Sequence, residues 1–261
     1  MLTSTFCHIK GLSRLSEKCL WSKGVLAWNH LDSCTPPAFS PNKMRSVKVQ
    51  IEESKKALQD ANTGFFLDRL PSADIPRVYP HITGKIGYLD IETTGLDAWS
   101  QITTIALYDG VEVRTFVRGV NLGDFPHAIS ACSMVSTYNG SRFDLPFIRK
   151  EFGIPMEMPH LDLMRPLRAH GYKGGLKVCE RLLGIRRQIP EDIDGYEAVR
   201  LWHAHQRGYR TALPKLLAYN TQDVLSLELI LILTYNLSMK GFPLLHELPL
   251  PRQPHIHWPG E

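Results

Sequence analysis

Between residues 85 and 140 the hydrophobic positions read as strands rather than helices. KIGYLDI, ITTIALYDG and VEVRTFVRG follow one another, with YDG as a hairpin turn, and CSMVSTYNG is a fourth candidate strand. From Asp144 onward the pattern is mostly helical. It is helical before residue 85 as well: residues 1 to about 35 read as short helices around turns, and SVKVQIEESKKALQDANTGFFLDRL has helical spacing. The Pro- and Ser-rich DSCTPPAFSPNKM separates these two parts. Three strands, then a helix and a strand, then helices, predict an α/β fold: a mixed sheet flanked by helices. The expected organisation is a helical element over 1–35, a linker and helix over 36–84, a main domain over 85–240 and a loosely ordered Pro-rich tail over 241–261.

Composition adds a few bounds. With 261 residues, 43% hydrophobic and 21% charged, the chain is an ordinary globular one with room for a sizeable core. A net charge of +4 is compatible with nucleic acid without demanding it. The five cysteines are odd in number, widely spaced and without a CxxC pair, so neither a disulfide framework nor a zinc site is expected. The first thirty residues hold no apolar signal core, and the longest apolar run, DVLSLELILILTY, reads as too interrupted to span a bilayer. A cytoplasmic protein with no membrane partner is expected.

The chemistry lies in acids at three places. Asp90 and Glu92 stand at i and i+2 in the apolar stretch YLDIE, so a strand there points both carboxylates from one face, at a cost unless they are paired or metal-bound. Asp144 follows the fourth strand and opens DLPFIRKEF, where an N-cap with Pro146 in the first turn is the simpler reading. Tyr219 and Asp223 in YNTQDVLSL share one face of a helix starting near Leu213 and Pro214, a spacing that also suits a half-buried helix face. Taken as a set, four acids from separate stretches can converge into an all-oxygen site that suits Mg²⁺ or Mn²⁺. Two such ions about 4 Å apart can activate a water and stabilise the leaving oxygen of a phosphodiester.

DIETTG, NGSRFD and YNTQD together resemble the three exonuclease motifs of the DEDD nucleases of the ribonuclease H-like superfamily. Tyr219, four residues before Asp223, resembles the tyrosine branch; the histidine branch would want a His about where Ala218 stands. HLDLMRP, GGLKVCERLLGI, DIDGYEAVRLWH and LLAYNTQDVLSL extend the likeness to the bacterial YprB-type ribonuclease H-like proteins. The resemblance implies a ribonuclease H-like sheet and a two-metal-ion 3′-to-5′ exonuclease. Asp90 would bridge both ions, Glu92 and Asp223 would hold the one that activates water, Asp144 would serve the other, and Tyr219 would orient the water. Thr93, Thr94 and Gly95 would neighbour a terminal nucleotide, with a turn after the strand as the alternative. Asn139 and Phe143 are substrate contacts or else serve the strand end and the core. Asp162 in HLDL is read as structural.

HIKGLSRLSEKCLWSKGV resembles a helix-hairpin-helix element, although Ser13 stands where the motif's second Gly would be. It either binds phosphate or only packs. A second basic stretch runs from Arg165 to Lys215 and includes Lys177 and Arg187. The expected partner is nucleic acid, DNA or RNA, engaged at a single-stranded 3′ end. A ribonuclease H-like endonuclease and a non-catalytic nucleic-acid-binding module are the rival readings.

Overall fold

The computed structural model describes residues 1–33, 39–97, 99–190, 195–244, 247–256 and 258, without the side chains of residues 32 and 33. Much of the Pro-rich connector, Cys34, the acidic start of DIDGYEAVRLWH and the end of the tail therefore lie outside the described residues. The chain forms two compact units, Met1–Thr83 with Thr234–Leu248, and Gly84–Leu233 with Pro249–Glu261.

In the first unit α1 (Arg14–Ser22) starts where Ser13 Oγ accepts the N–H of Ser16. Then come α2 (His30–Ser33), α3 (Pro41–Gln59), with Ser40 as its cap and Pro41 in its first turn, and α4 (Thr63–Leu67). The stripe Met44, Val47 and Ile51 of α3 buries against Leu2, Phe6, Leu20 and Trp28, joined by Tyr235 and Phe242. This corrects the expected division between 1–35 and 36–84: the two share one core, because the apolar stripe of α3 is buried in it. The segment expected as a helix-hairpin-helix holds one α-helix, α1, in its second half. A single 3₁₀ turn, Leu2–Ser4, stands before α1, and several of the intervening amides have partners within the unit. Phe6 and Cys7 donate to Glu17 Oε1 (2.6 and 3.1 Å), and Lys10 donates to Gln50 Oε1 (2.8 Å).

The second unit holds a five-stranded sheet of β1 (Ile86–Thr93), β2 (Ile102–Tyr108), β3 (Val113–Val117), β4 (Met134–Thr137) and β5 (His160–Asp162), in the order β3-β2-β1-β4-β5. β1 pairs antiparallel with β2 and parallel with β4, β2 pairs antiparallel with β3, and β4 parallel with β5, so the sheet is mixed as expected. The helices are α5 (Phe125–Ser130), α6 (Asp144–Phe152), α7 (Met164–Ala169), α8 (Leu176–Leu183), α9 (Gly195–Gln206) and α10 (Ala212–Ser238). Leu89, Ile91, Ile105 and Leu107 form a core with Phe125 and Ile129 of α5 and Leu145 and Ile148 of α6. By strand alternation Tyr88, Asp90 and Glu92 point the other way, toward α10.

Two expectations about the C-terminal part change. α10 is by length and composition apolar enough to cross a bilayer, at a mean hydropathy of 1.4 over its most apolar window, but 78% of that window is buried inside the protein. Its apolarity is accounted for by the core. The tail, expected to be loose, is held in the second unit: Gln188 Nε2 donates to Pro254 O (2.9 Å), the Ile256 N–H donates to Gln188 Oε1 (3.0 Å), and Ile256 is buried.

Candidate metal centre

β1 loses its β4 neighbour early, and the site grows from that gap. The parallel pairing stops at Tyr88 and Ser136, which frees the Ile91 N–H, and Asp144 Oδ1 accepts it at 3.2 Å. Asp144 is the first residue of α6, after Phe143 in the N-cap position, so the simpler N-cap reading of this acid is set aside. On the other side β1 runs beside β2 until a register shift between Glu92 and Thr93. Asp90 lies opposite Ala106 and Glu92 opposite Thr104, small residues that leave space over the sheet. α10 closes that face. Asn220 Nδ2 donates to Asp90 Oδ2 (2.7 Å) and to Asp90 O (3.2 Å), while Asn220 Oδ1 accepts from Thr104 Oγ1 (3.2 Å).

One helical turn lower, Asp223 reaches the same place. Asp90, Glu92 and Asp223 each present a carboxylate oxygen, all within 4.8 Å of one another. No ion pair or hydrogen bond reaches the Glu92 carboxylate among the described residues. Asp144 stands outside this group of three, yet its charge acts on Asp90 and Glu92. Burial, and then the charges of Asp223 and Asp144, hold the Asp90 and Glu92 carboxyls well above their ordinary range. Burial likewise raises Asp144 to about 7, against the Ile91 N–H that favours its charged form. It raises Asp223 to about 6, where the Arg187 guanidinium works the other way. Lys177 also favours the charged forms of Glu92 and Asp223, yet the acids outnumber the cations acting on them, and such a set of hard oxygen donors can hold a divalent ion.

Tyr219 lies on α10 one turn before Asp223 and is 7% exposed. Burial and the charges of Asp223, Glu92 and Asp90 push its phenol up, so the hydroxyl stays protonated. Lys177 Nζ lies 5.0 Å and the Arg187 guanidinium carbon 5.4 Å from its ring centre.

The expected substrate contacts divide. A cavity of about 630 Å³ opens beside Glu92, lined by Thr93, Thr94, Gly95, Leu96 and Phe143 and, from α9, by Tyr196 and Val199. Thr93 Oγ1 donates to Gly95 O (2.6 Å) and Thr94 Oγ1 accepts from the Gln101 N–H (3.0 Å), so both threonines also build the turn. A Cβ on Gly95 would come within 2.9 Å of Ser100 Oγ, so any larger residue there would have to move that hydroxyl. Asn139 does not line the cavity. It takes the left-handed conformation (φ 63°) and donates its N–H to Asp162 Oδ1 at 2.8 Å. Asp162 also accepts from Ser141 and Met164 (both 3.2 Å), the structural role expected of it. Sequence reasoning missed Asn220, Tyr196 and the inward role of Arg187. Asn220 had one signal, a position three residues before Asp223 on the same helix face.

A search of curated protein sequences returns no match. Among solved structures the chain is similar to the family B DNA polymerase from the hyperthermophilic archaeon Pyrobaculum calidifontis, with a TM-score of 0.45 and 17% identity over 62% of this chain. It spans 26% of that polymerase. The family model of the RNase_H superfamily matches residues 87–235, more than half the chain and the whole of the acid set. The protein therefore belongs to the RNase_H superfamily.

Proposed function

We propose that the protein is a metal-dependent 3′-to-5′ exonuclease that hydrolyses phosphodiester bonds at single-stranded nucleic-acid ends with two Mg²⁺ or Mn²⁺ ions. The ribonuclease H-like domain and its acid set support nuclease activity in general. The observation that carries the reading is the convergence of Asp90, Glu92 and Asp223 within 4.8 Å, with acids outnumbering the cations Lys177 and Arg187 that act on them, beside a cavity whose lining includes the rings of Phe143 and Tyr196.

The donor set fits hard divalent ions, being carboxylate throughout. Asp90, Glu92 and Asp223 would hold them, with Asp144 flanking. When bound, the ions supply charge that favours the attacking water as hydroxide and steadies the leaving oxygen. Asn220 fixes the Asp90 carboxylate in place. The protonated Tyr219 hydroxyl orients a water by hydrogen bonding and does not act as a base. Phe143 and Tyr196 can stack on an unpaired terminal base, which favours a single strand over a duplex end. Stacking of that kind leaves little use for sequence readout.

The test is purified protein with Mg²⁺ or Mn²⁺ and 5′-labelled single- and double-stranded DNA and RNA. A ladder that descends with time on single strands is expected. Labelled mononucleotide from the outset would reverse the direction, cleavage of a closed circle would make the enzyme an endonuclease, and undiminished hydrolysis in excess chelator would remove the metals.

A further inference from the structure

Arg187 is 3% exposed and precedes α9 in sequence. Acids hold its guanidinium on two sides. Nη1 donates to both carboxylate oxygens of Glu180 (3.0 and 2.8 Å), and Nη2 donates to Asp223 Oδ1 (2.5 Å). Glu180 lies in α8, is 1% exposed, and belongs to no metal-sized cluster among the described residues. The segment carrying Arg187 is docked: the Gln188 N–H donates to Gln222 Oε1 of α10 (2.7 Å), and Ile185 and Ile189 are buried. A rigid positive charge therefore sits on one lone-pair side of a ligand oxygen. A divalent ion at Asp223 would meet it as a competitor for that carboxylate and as a like charge.

We propose that Arg187 is a buried counter-cation of the acid cluster, beside Lys177: a positioning residue that holds Asp223 by one oxygen and opposes divalent-ion binding, while Glu180 moderates it by sharing its charge. The inference rests on reading Asp90, Glu92 and Asp223 as a metal site. Its logic is one of charge and geometry. The empty cluster concentrates like charges in a poorly solvated place, and Arg187 offsets part of that repulsion. What stabilises the empty site must weaken the filled one. Metal affinity is then set by a residue that need not touch the metal, and Glu180, both of whose oxygens accept from Nη1, keeps the guanidinium aligned rather than free to follow Asp223.

The experiment is a Mn²⁺ titration of the full-length protein by calorimetry, without nucleic acid, together with melting in chelator. Arg187→Gln alone would leave Glu180 buried and unpaired, so the informative variant is the double Glu180→Gln/Arg187→Gln, which removes both charges. It should bind Mn²⁺ tighter, on the order of tenfold, and melt lower than wild type in chelator. Glu180→Gln, which leaves the whole charge of Arg187 on Asp223, should bind Mn²⁺ more weakly. A merely structural role predicts that affinity and melting temperature fall together in the double variant, and that result would overturn the inference. If the double variant does not fold, unchanged or tighter binding by Glu180→Gln overturns it instead. Wild type that binds no Mn²⁺ sinks the metal reading and this inference with it. Wild type that binds while Asp90→Asn does not, with a double variant no tighter than wild type, sinks the Arg187 inference alone.

Discussion

Each unit of this chain buries acids, and the two treat them differently. In the first, Arg77 donates to Glu17 (2.9 Å) and forms an ion pair with Asp74 (2.7 Å), Arg14 adds a second cation beside Asp74 (3.1 Å), and Arg77, Glu17 and Asp74 are all at most 3% exposed. Two acids meet two guanidinium groups, and Glu17 also takes two backbone N–H groups. In the second, Asp90, Glu92 and Asp223 lie together, with the charge of Asp144 acting on the first two, Lys177 acting on Glu92 and Asp223, and Arg187 shared between Asp223 and Glu180. A balanced network can be understood as architecture alone. An unbalanced one costs stability and calls for a ligand that repays it.

The comparison breaks most sharply under neutralisation, where the same chemical change should act oppositely in the two places. Asp90→Asn should lower hydrolysis by orders of magnitude, melt at or above the wild-type temperature in chelator, and gain much less from Mn²⁺. Glu17→Gln should leave Arg77 buried with a partner missing and cost about 3–5 kcal/mol, read as a fall in denaturant midpoint. If Asp90→Asn is as destabilising in chelator as Glu17→Gln, the acid cluster is structural.

These opposite characters were only half legible in the sequence. The strand bearing Asp90 and Glu92, the start of α6 at Asp144 and the shared face of Tyr219 and Asp223 followed from local periodicity, because each is fixed by its own neighbours in the chain. β5 was missed: three residues are too few to show a period, and its place comes from pairing with β4. The salt bridge of Glu17 with Arg77 joins residues sixty apart, and that of Arg187 with Asp223 joins residues thirty-six apart. Residues 165–215 showed a run of cations without showing which one turns inward. In the N-terminal segment the Phe6 and Cys7 amides go to Glu17 and the Lys10 amide to Gln50, partners that cannot be read off the residue types of the segment itself.

Smaller effects sharpen the site itself. Tyr219→Phe should lower kcat by about a hundredfold or less with little change in substrate affinity, since an orienting hydroxyl acts on the chemical step. An unchanged kcat would reduce Tyr219 to packing. Phe143→Ala or Tyr196→Ala should weaken single-strand binding by about 1–3 kcal/mol and leave Mn²⁺ binding alone. Equal losses for duplex and single strand would argue against stacking of an unpaired base.

The smallest expected effect is the pH dependence of the metal-free protein, where the two units again pull apart. Asp144 at about 7 and Asp223 at about 6 hold their protons more tightly than the ordinary carboxyl near 3.8. Their contribution is fully present below the unfolded value and is lost as pH rises through 6 to 7, so in chelator acidification stabilises through them. His8, buried and hydrogen-bonded to Ser54 Oγ (2.9 Å), is lowered from 6.5 to about 4 by burial and then by Arg69 and Arg77. His81 is lowered to about 4 by burial and then by the N-terminal amino group. Both contribute fully above 6.5, and that stability is lost as pH falls toward 4. In chelator the melting temperature should therefore rise by a few degrees between pH 7.5 and 6.5, then flatten as the histidines oppose the acids. Asp144→Asn should remove much of the rise. Added Mn²⁺ should stabilise less at pH 5.5 than at pH 7.5, because protons and metal compete for the same oxygens. A melting temperature that falls steadily from pH 7.5 to 6.5 in chelator, equally in wild type and Asp144→Asn, would mean that the four acids carry no excess charge in the folded protein.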